Sequence, residues 1–271
     1  MVLCCRTTAV AFELFVSTET ERALSAAAQT GLFKTDQVWR RHYRLNKLID
    51  AVDPWLSRAR SERWLSRYVD VVGEWPKTPF AAVSLHWGTG LWALHHMRLF
   101  AADVSMVLRP FAEWGGAFSA PMRVYLQRYE QEISRAGGAP ITATGSGLTQ
   151  RVQNNFDQGR NLLVLLDVPK GNNRDPIPVD FLGQPTYFAS GVLNMVLAQK
   201  KPLVPYAIGL DFATGRRQLQ IGEPIRDVDT MAAMQQLSLF FDPVVREQPA
   251  SWHFWPLYSQ FLSPNFSGSP V

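Results

Sequence analysis

Cysteine is nearly absent from this sequence. Of 271 residues only Cys4 and Cys5 are cysteines, and they are neighbours. A bridge between adjacent residues is badly strained, so a disulfide scaffold is excluded, and no cysteine metal site can be built from the pair. Such usage points to a reducing compartment. Long apolar runs are also missing. No stretch reaches the roughly 18 uncharged apolar residues of a spanning helix. The stretch from Met1 to Val16 is fairly apolar but carries Arg6 and Glu13. It lacks a basic start and a clean apolar core before a small-residue cleavage site, and is not expected to act as a signal peptide. No G-x-x-x-x-G-K-[ST] phosphate loop and no G-x-S-x-G nucleophile elbow occurs. Gly145-Ser146-Gly147 reads as a plain loop, and no internal repeat is visible.

What is there is apolar and aromatic. Hydrophobic residues make up 46%, with nine Trp and sixteen Phe. So many rings could not stay solvated, which excludes disorder as the main state. The length suits one large domain, or one with a small appendage.

Charge is few in number and uneven. Charged residues are 18% of the chain and the net charge is +4. Arginine supplies 21 of the 27 basic residues, and its fork suits phosphate and carboxylate groups. Between Lys34 and Arg67 nine basic residues face four acids, a net +5, so the rest of the chain is close to neutral. Trp39, Tyr43, Trp55 and Trp64 are interleaved with these arginines. Leu45, Leu48, Ile49 and Val52 fall at helical spacing, as do Leu65, Tyr68, Val69 and Val72, with Pro54 separating the two runs. Basic residues with aromatic rings suit a helix lying on an anionic membrane surface. An ordinary amphipathic pair with arginines in water fits the same spacing. No helix-turn-helix, zinc or stacking-sheet pattern supports nucleic-acid binding, and none is expected.

From Phe80 onward short apolar runs alternate with helical stretches. Strands are expected at Phe80–Leu85, Val104–Leu108, Pro140–Ala143, Asn161–Leu166, Ile177–Phe181, Leu203–Ile208 and Gln218–Ile221. Helices are expected at Leu91–Phe100, Pro121–Arg135, Leu148–Asp157, Gly191–Gln199 and Thr230–Phe241, the last stopped by Pro243. This alternation predicts an α/β fold, a mixed and largely parallel central sheet flanked by helices, with an N-terminal helical segment. The boundaries expected are 1–75 for the helical segment, 76–262 for the α/β domain and 263–271 for a frayed tail.

His86 stands at a strand end, before the small-residue turn Trp87-Gly88-Thr89-Gly90. The carboxyl ends of strands in an open α/β sheet are where ligands bind, so His86 is placed to act as a general base, though a histidine there also serves structural roles. Asp167 ends the apolar run Leu162–Leu166 on the same edge, and an Asp there is also a turn former. His95 and His96 lie inside a helix and read as packing or surface residues. Ser190 reads as a helix cap.

Four blocks in order then carry a resemblance. They are Val83-Ser84-Leu85-His86-Trp87-Gly88; Val107-Leu108-Arg109-Pro110; Leu165-Leu166-Asp167 with Pro178-Val179-Asp180-Phe181-Leu182-Gly183-Gln184-Pro185, Ala189-Ser190-Gly191, Leu197-Ala198 and Pro202-Leu203-Val204-Pro205; and Arg246-Glu247-Gln248-Pro249-Ala250-Ser251-Trp252-His253-Phe254-Trp255. Spanning about Phe80 to Phe261, they resemble the lauroyl/myristoyl acyltransferase family of lipid A biosynthesis, a branch of the lysophospholipid and glycerolipid acyltransferase superfamily. The resemblance implies a glycerolipid acyltransferase-like fold. It also implies transfer of an acyl chain from an acyl carrier protein or coenzyme A thioester to a hydroxyl of a lipid acceptor. No metal or redox cofactor is implied. His86 would be the base, Arg109 and more weakly Arg128 would hold acceptor phosphate or the oxyanion, and Gly88 and Gly90 would admit the thioester. Trp87, Thr89, Phe181 and Gly183 would border the site, and Leu91, Leu94 and Val107 would line an acyl pocket. The expected protein is a monomer, peripheral on the cytoplasmic face of the inner membrane.

The sequence departs from that family in two places. The acid expected five residues after the histidine is Leu91 here, and no counterpart of the N-terminal span of many relatives is expected. Three readings stand: another carboxylate substitutes, Asp167 first and Asp103 or Glu113 behind it; His86 works alone; or the domain binds lipid without turnover.

Overall fold

The computed structural model describes residues 18–113, 119–169 and 176–262. The expectations for the first sixteen residues, for Cys4 and Cys5, and for the tail after Ser263 lie outside them.

Three helices come first: α1 (residues 18–29), α2 (Gln37–Ala59) and α3 (Glu62–Ser66). Asp36 starts α2, its side chain accepting from the Val38 and Trp39 N–H groups at 3.0 and 3.1 Å, which satisfies donors a helix start leaves orphaned. Pro54 does not divide this segment into two helices, as its position suggested. It sits inside one helix of 23 residues. Pro54 cannot donate to the Asp50 carbonyl, a loss of about 3 kcal/mol in a free helix. Here the flanking turns are held from outside: Asn46 donates to the Ala250 carbonyl and Ser251 Oγ, and Asp53 pairs with Arg217 at 2.7 Å.

The apolar spacing through Val69 and Val72 also suggested helix, but Val69–Val72 is strand β1. Three valines in four residues favour the pleated backbone. Gly73 follows with φ +88°, where an added Cβ would lie 2.2 Å from the Ile221 carbonyl oxygen.

Then come β2 (Ala81–Ser84), α4 (Leu91–Phe100), β3 (Val104–Leu108), α5 (Ala120–Gly137), β4 (Thr142–Ala143), α6 (Leu148–Asp157) and β5 (Asn161–Leu165). They are followed by β6 (Pro176–Phe181), β7 (Gln184–Ala189), α7 (Gly191–Ala198), β8 (Leu203–Leu210), β9 (Arg217–Ile221) and α8 (Thr230–Glu247), with two 3₁₀ turns, Pro249–Ser251 and Trp255–Phe261, beyond. The alternating stretches after Phe80 thus fold much as their periodicity indicates. Strand β7 had no clear signal because Pro185 interrupts it; among the described residues it pairs with β6 alone, in a two-stranded hairpin apart from the main sheet. Pro243 does not stop α8, which runs on to Glu247. The carbonyl it orphans belongs to Leu239, which is 76% exposed, so water can take it.

The fold is α/β. Seven strands form one sheet in the order β1-β9-β8-β2-β5-β3-β4. All neighbours are parallel except β8 and β9. Strand β1 thus ties the N-terminal segment into the main sheet. One face carries α1, α6, α7, α8 and the last 3₁₀ turn, through residues such as Ala23, Val152, Leu193, Leu237 and Trp255. The other carries α3, α4 and α5, through Leu65, Leu94, Met97 and Ile133. The helices thereby cover both sides of a parallel sheet, as such sheets require.

Candidate functional site

Strands β2 and β5 are neighbours in parallel, with Ser84 opposite Leu165. Two residues farther along each chain stand His86 and Asp167. The side chains meet: His86 Nδ1 lies 2.9 Å from Asp167 Oδ1. A carboxylate only accepts, so Nδ1 carries the proton and Nε2 presents its lone pair. The His86 backbone N–H also reaches both carboxylate oxygens at 2.9 Å, and the Trp252 indole donates to Oδ2 at 2.8 Å. Asp167 is fully buried while a third of the His86 side chain is exposed. Nε2 has no hydrogen-bond partner among the described residues. The result is a fixed tautomer with one basic nitrogen open to the outside, the layout a general base needs.

The C-terminal segment clamps the turn after His86. The His253 N–H donates to the His86 carbonyl at 2.8 Å, and Gly88 donates to the Ser251 carbonyl at 2.9 Å. The His253 ring donates from Nε2 to the Gly88 carbonyl, also at 2.8 Å. Burial pushes the His253 imidazole down to about 3, with Lys47 adding to it, so this ring stays neutral as it clamps. Phe254 stacks on the His86 ring, centroids 3.9 Å apart, and restrains its rotation. Phe181 meets the Trp252 ring edge-to-face at 5.8 Å. These contacts to Trp252, His253 and Phe254 had no signal of their own in the sequence. The terminal Arg246–Trp255 block pointed at the region without saying what it touches.

The other expected residues are spread more widely. Gly88 has φ +60°, and a Cβ there would lie 2.0 Å from the Ile208 carbonyl oxygen. Glycine is required there by the close approach to β8. Trp87 and Thr89 are buried, and the Thr89 hydroxyl has no hydrogen-bond partner among the described residues. Gly90 starts α4 with nothing within 4 Å of a Cβ position. Leu91 and Leu94 pack in the core on one face of the sheet, whereas Val107 packs against the other. The three therefore cannot line one acyl pocket as expected, because the sheet lies between them. Arg109 follows β3, with β5 between it and the His86 strand, and donates to the Glu113 carbonyl at 2.7 Å. Gly183 lies at the β6–β7 turn, beside Leu182, whose N–H is held by Asp242 at 2.6 Å. Asp103 faces Arg98 at 3.6 Å. Ser190 starts α7 but makes no cap bond with its side chain.

His95 and His96 are packing residues. The His95 ring lies 2.6 Å from Ser57 Oγ, which donates to Glu132 at 2.5 Å, and Arg135 grips the same carboxylate. The network lashes α2, α4 and α5 together. His96 Nδ1 accepts from the Trp75 indole at 2.9 Å. Burial lowers both imidazoles to about 4.

Two of the four interleaved aromatics of the basic segment turn inward. Trp39 and Tyr43 stack on one another in the core, and Tyr43 donates to the His253 carbonyl. The outward face of α2 keeps Val38, Leu48, Val52 and Trp55 exposed, flanked by Arg41, Arg44 and Arg58. Met122 and Val124 at the start of α5 are exposed as well. A cleft between α2 and α5 is lined by Pro54, Trp55, Arg58, Tyr125, Arg128, Tyr129 and Glu132. Arg128 lies over the Trp55 ring at 5.9 Å. No described helix is long and apolar enough to cross a membrane, and no cluster of possible metal ligands is found among the described residues.

Compared with known proteins, the chain matches no protein-family model and no curated relative.

Proposed function

We propose that the chain is an acyltransferase, moving an acyl group from a carrier-protein or coenzyme A thioester to a hydroxyl of a lipid or lipid-like acceptor. The observation that carries this is the His86–Asp167 pair at the carboxyl edge of the parallel sheet, with Nε2 open. The resemblance of the four sequence blocks to lipid A acyltransferases supports the same reading. It supports a glycerolipid acyltransferase-like fold as well.

In the reaction, His86 Nε2 takes the acceptor proton as the oxygen attacks the thioester carbonyl carbon. A carbon–oxygen bond forms, the carbon–sulfur bond breaks, and the departing thiolate receives the proton back from the imidazolium. Asp167, held by its other donors, offsets the positive charge that develops on the ring. It takes the role of the acid that Leu91 does not supply. Backbone N–H groups at the uncapped start of α4 lie within a few residues of His86, where negative charge would develop on the carbonyl oxygen. Arg128 and Arg58 in the α2–α5 cleft suit an anionic part of either substrate. Arg109 serves the same purpose from the β3 end. The exposed apolar and basic face of α2 and α5 suits peripheral contact with an anionic membrane on the cytoplasmic side.

The test is direct. Incubation of the protein with lauroyl-coenzyme A, or the lauroyl carrier-protein thioester, and a bacterial lipid extract should give new acylated lipid by mass spectrometry. His86→Ala should abolish it. Lipid binding without product would instead identify a non-catalytic lipid carrier.

A further inference from the structure

We propose that Asp50 recognises the acceptor at this site, accepting a hydrogen bond from a hydroxyl or ammonium group adjacent to the hydroxyl that His86 deprotonates. The proposal rests on the acyl-transfer reading above and narrows its acceptor class.

The placement of Asp50 follows from the register of α2. Tyr43 and Asn46, on one helix face, reach the clamp around His86 through the His253 carbonyl and through Ser251 with the Ala250 carbonyl. Asp53, farther along, reaches Arg217 of β9. Asp50 lies between them, one turn after Asn46, on the same face. His86 and Lys47 are among the charges Asp50 feels. Tyr125 and Tyr129, which line the α2–α5 cleft, feel the charge of Asp50 in turn, and so does Asp53. Asp50 therefore belongs to the α2 face that carries Tyr43 and Asn46 to the clamp around His86.

Other carboxylates nearby are already engaged. Asp167 holds His86 and Trp252, Asp53 holds Arg217, and Glu132 holds Ser57 and Arg135. Asp50 makes neither hydrogen bond nor ion pair among the described residues. It is half-buried, and burial pushes its carboxyl up to about 6. Part of the side chain therefore stays open to an incoming group. Water hydrates the exposed part of the carboxylate until a donor group of a ligand displaces it.

The partner must be a donor, because an ionised carboxylate only accepts. A thioester carbonyl and an acyl chain carry no N–H or O–H, so Asp50 cannot recognise the acyl donor. A phosphate directly beside the reacting hydroxyl would be repelled. An anionic part of the acceptor is instead directed farther out, toward Arg58 and Arg128. The acceptor class is thus a vicinal diol, a polyol or an amino alcohol, not a simple long-chain alcohol.

Lauroyl-coenzyme A with 1-octanol, 1,2-octanediol and 2-amino-1-octanol as matched acceptors tests this. The parent protein should favour the diol and the amino alcohol over octanol in kcat/KM by about 10- to 100-fold, the range of one hydrogen bond to a charged group. In Asp50→Ala, which leaves no acceptor, this ratio should fall to near one. In the parent it should shrink as the pH is lowered from 7.5 to 5, a readout that needs no variant. Transfer to all three acceptors at similar efficiency overturns the proposal alone, as does a preference that survives in Asp50→Ala. If the parent forms no ester from either lauroyl-coenzyme A or the lauroyl carrier-protein thioester, the acyl-transfer reading falls and this proposal with it.

Discussion

His86 and Asp167 are 81 residues apart in the chain, yet each stands two residues past a matched pair, Ser84 and Leu165, on adjacent parallel strands. The 2.9 Å contact between the two side chains is a direct product of that register. Neighbouring strands run about 4.8 Å apart, so short side chains at equivalent positions beyond the strand ends can meet.

The pair should behave as one unit. His86→Ala is expected to lower turnover by about 10²- to 10⁴-fold, the usual general-base contribution. Asp167→Asn should fall in the same range through loss of the tautomer and of charge compensation. The double variant should cost no more than His86→Ala alone. Multiplicative losses would show that the two side chains act separately. Circular dichroism checks that the fold persists.

Trp252 acts behind the pair. In Trp252→Phe the ring packing against Phe181 is largely kept, but Asp167 loses the donor at Oδ2. A buried acceptor left short of a partner costs about 1–3 kcal/mol. Denaturant unfolding should register that loss, together with a lower rate at unchanged acceptor KM. An unaltered midpoint would mean that Asp167 finds another donor.

Gly88→Ala combines an unfavourable φ of +60° with a collision against the Ile208 carbonyl. A destabilisation of at least about 1–3 kcal/mol is expected from the backbone alone. The clamp from Ser251 and His253 should loosen with it. Thermal unfolding measures the first effect and thioester turnover the second.

Acid should weaken the fold through its buried imidazoles. His95 and His96 are lowered to about 4 and His253 to about 3, in each case by burial first. The folded state therefore binds fewer protons than the unfolded state below the ordinary value of 6.5. Their stabilising contribution is whole above 6.5 and is lost as the pH falls toward 4 and 3. Asp50, raised to about 6, works in the opposite sense, so a variant comparison is the cleaner readout. His253→Gln keeps an N–H for Gly88 and removes one titrating group. It should flatten the acid limb by about 1.4 kcal/mol per pH unit. Parallel curves for parent and variant would contradict this.

Vesicle flotation tests the outer face of α2 and α5. Recovery with anionic vesicles should exceed that with neutral ones and fall on raising salt, at about 1 kcal/mol per basic residue near the surface. Trp55→Ala and Arg58→Glu should each reduce it. Equal recovery on neutral vesicles would point away from a charge-led contact.

Much of the chain was legible because helix and strand periods are local. Helix α4, strand β3 and helix α6 could be read to their ends from apolar spacing alone, and His86 and Asp167 could each be placed at a strand terminus. The local signals that misled were single residues. Pro54 and Pro243 read as helix stops, yet distant contacts and water make good what each proline removes. Val69 and Val72 fit a helical spacing but were drawn into the sheet by pairing with β9. Strand order is not local, and only the tertiary structure put β5 beside β2, so only there did Asp167 become the partner of His86. The same holds for Trp252 and Phe254, which come from the far end of the chain. A sequence displays which groups can accept or donate a proton. Which of them share a few ångströms is decided by how the sheet orders its strands and where the helices pack upon it.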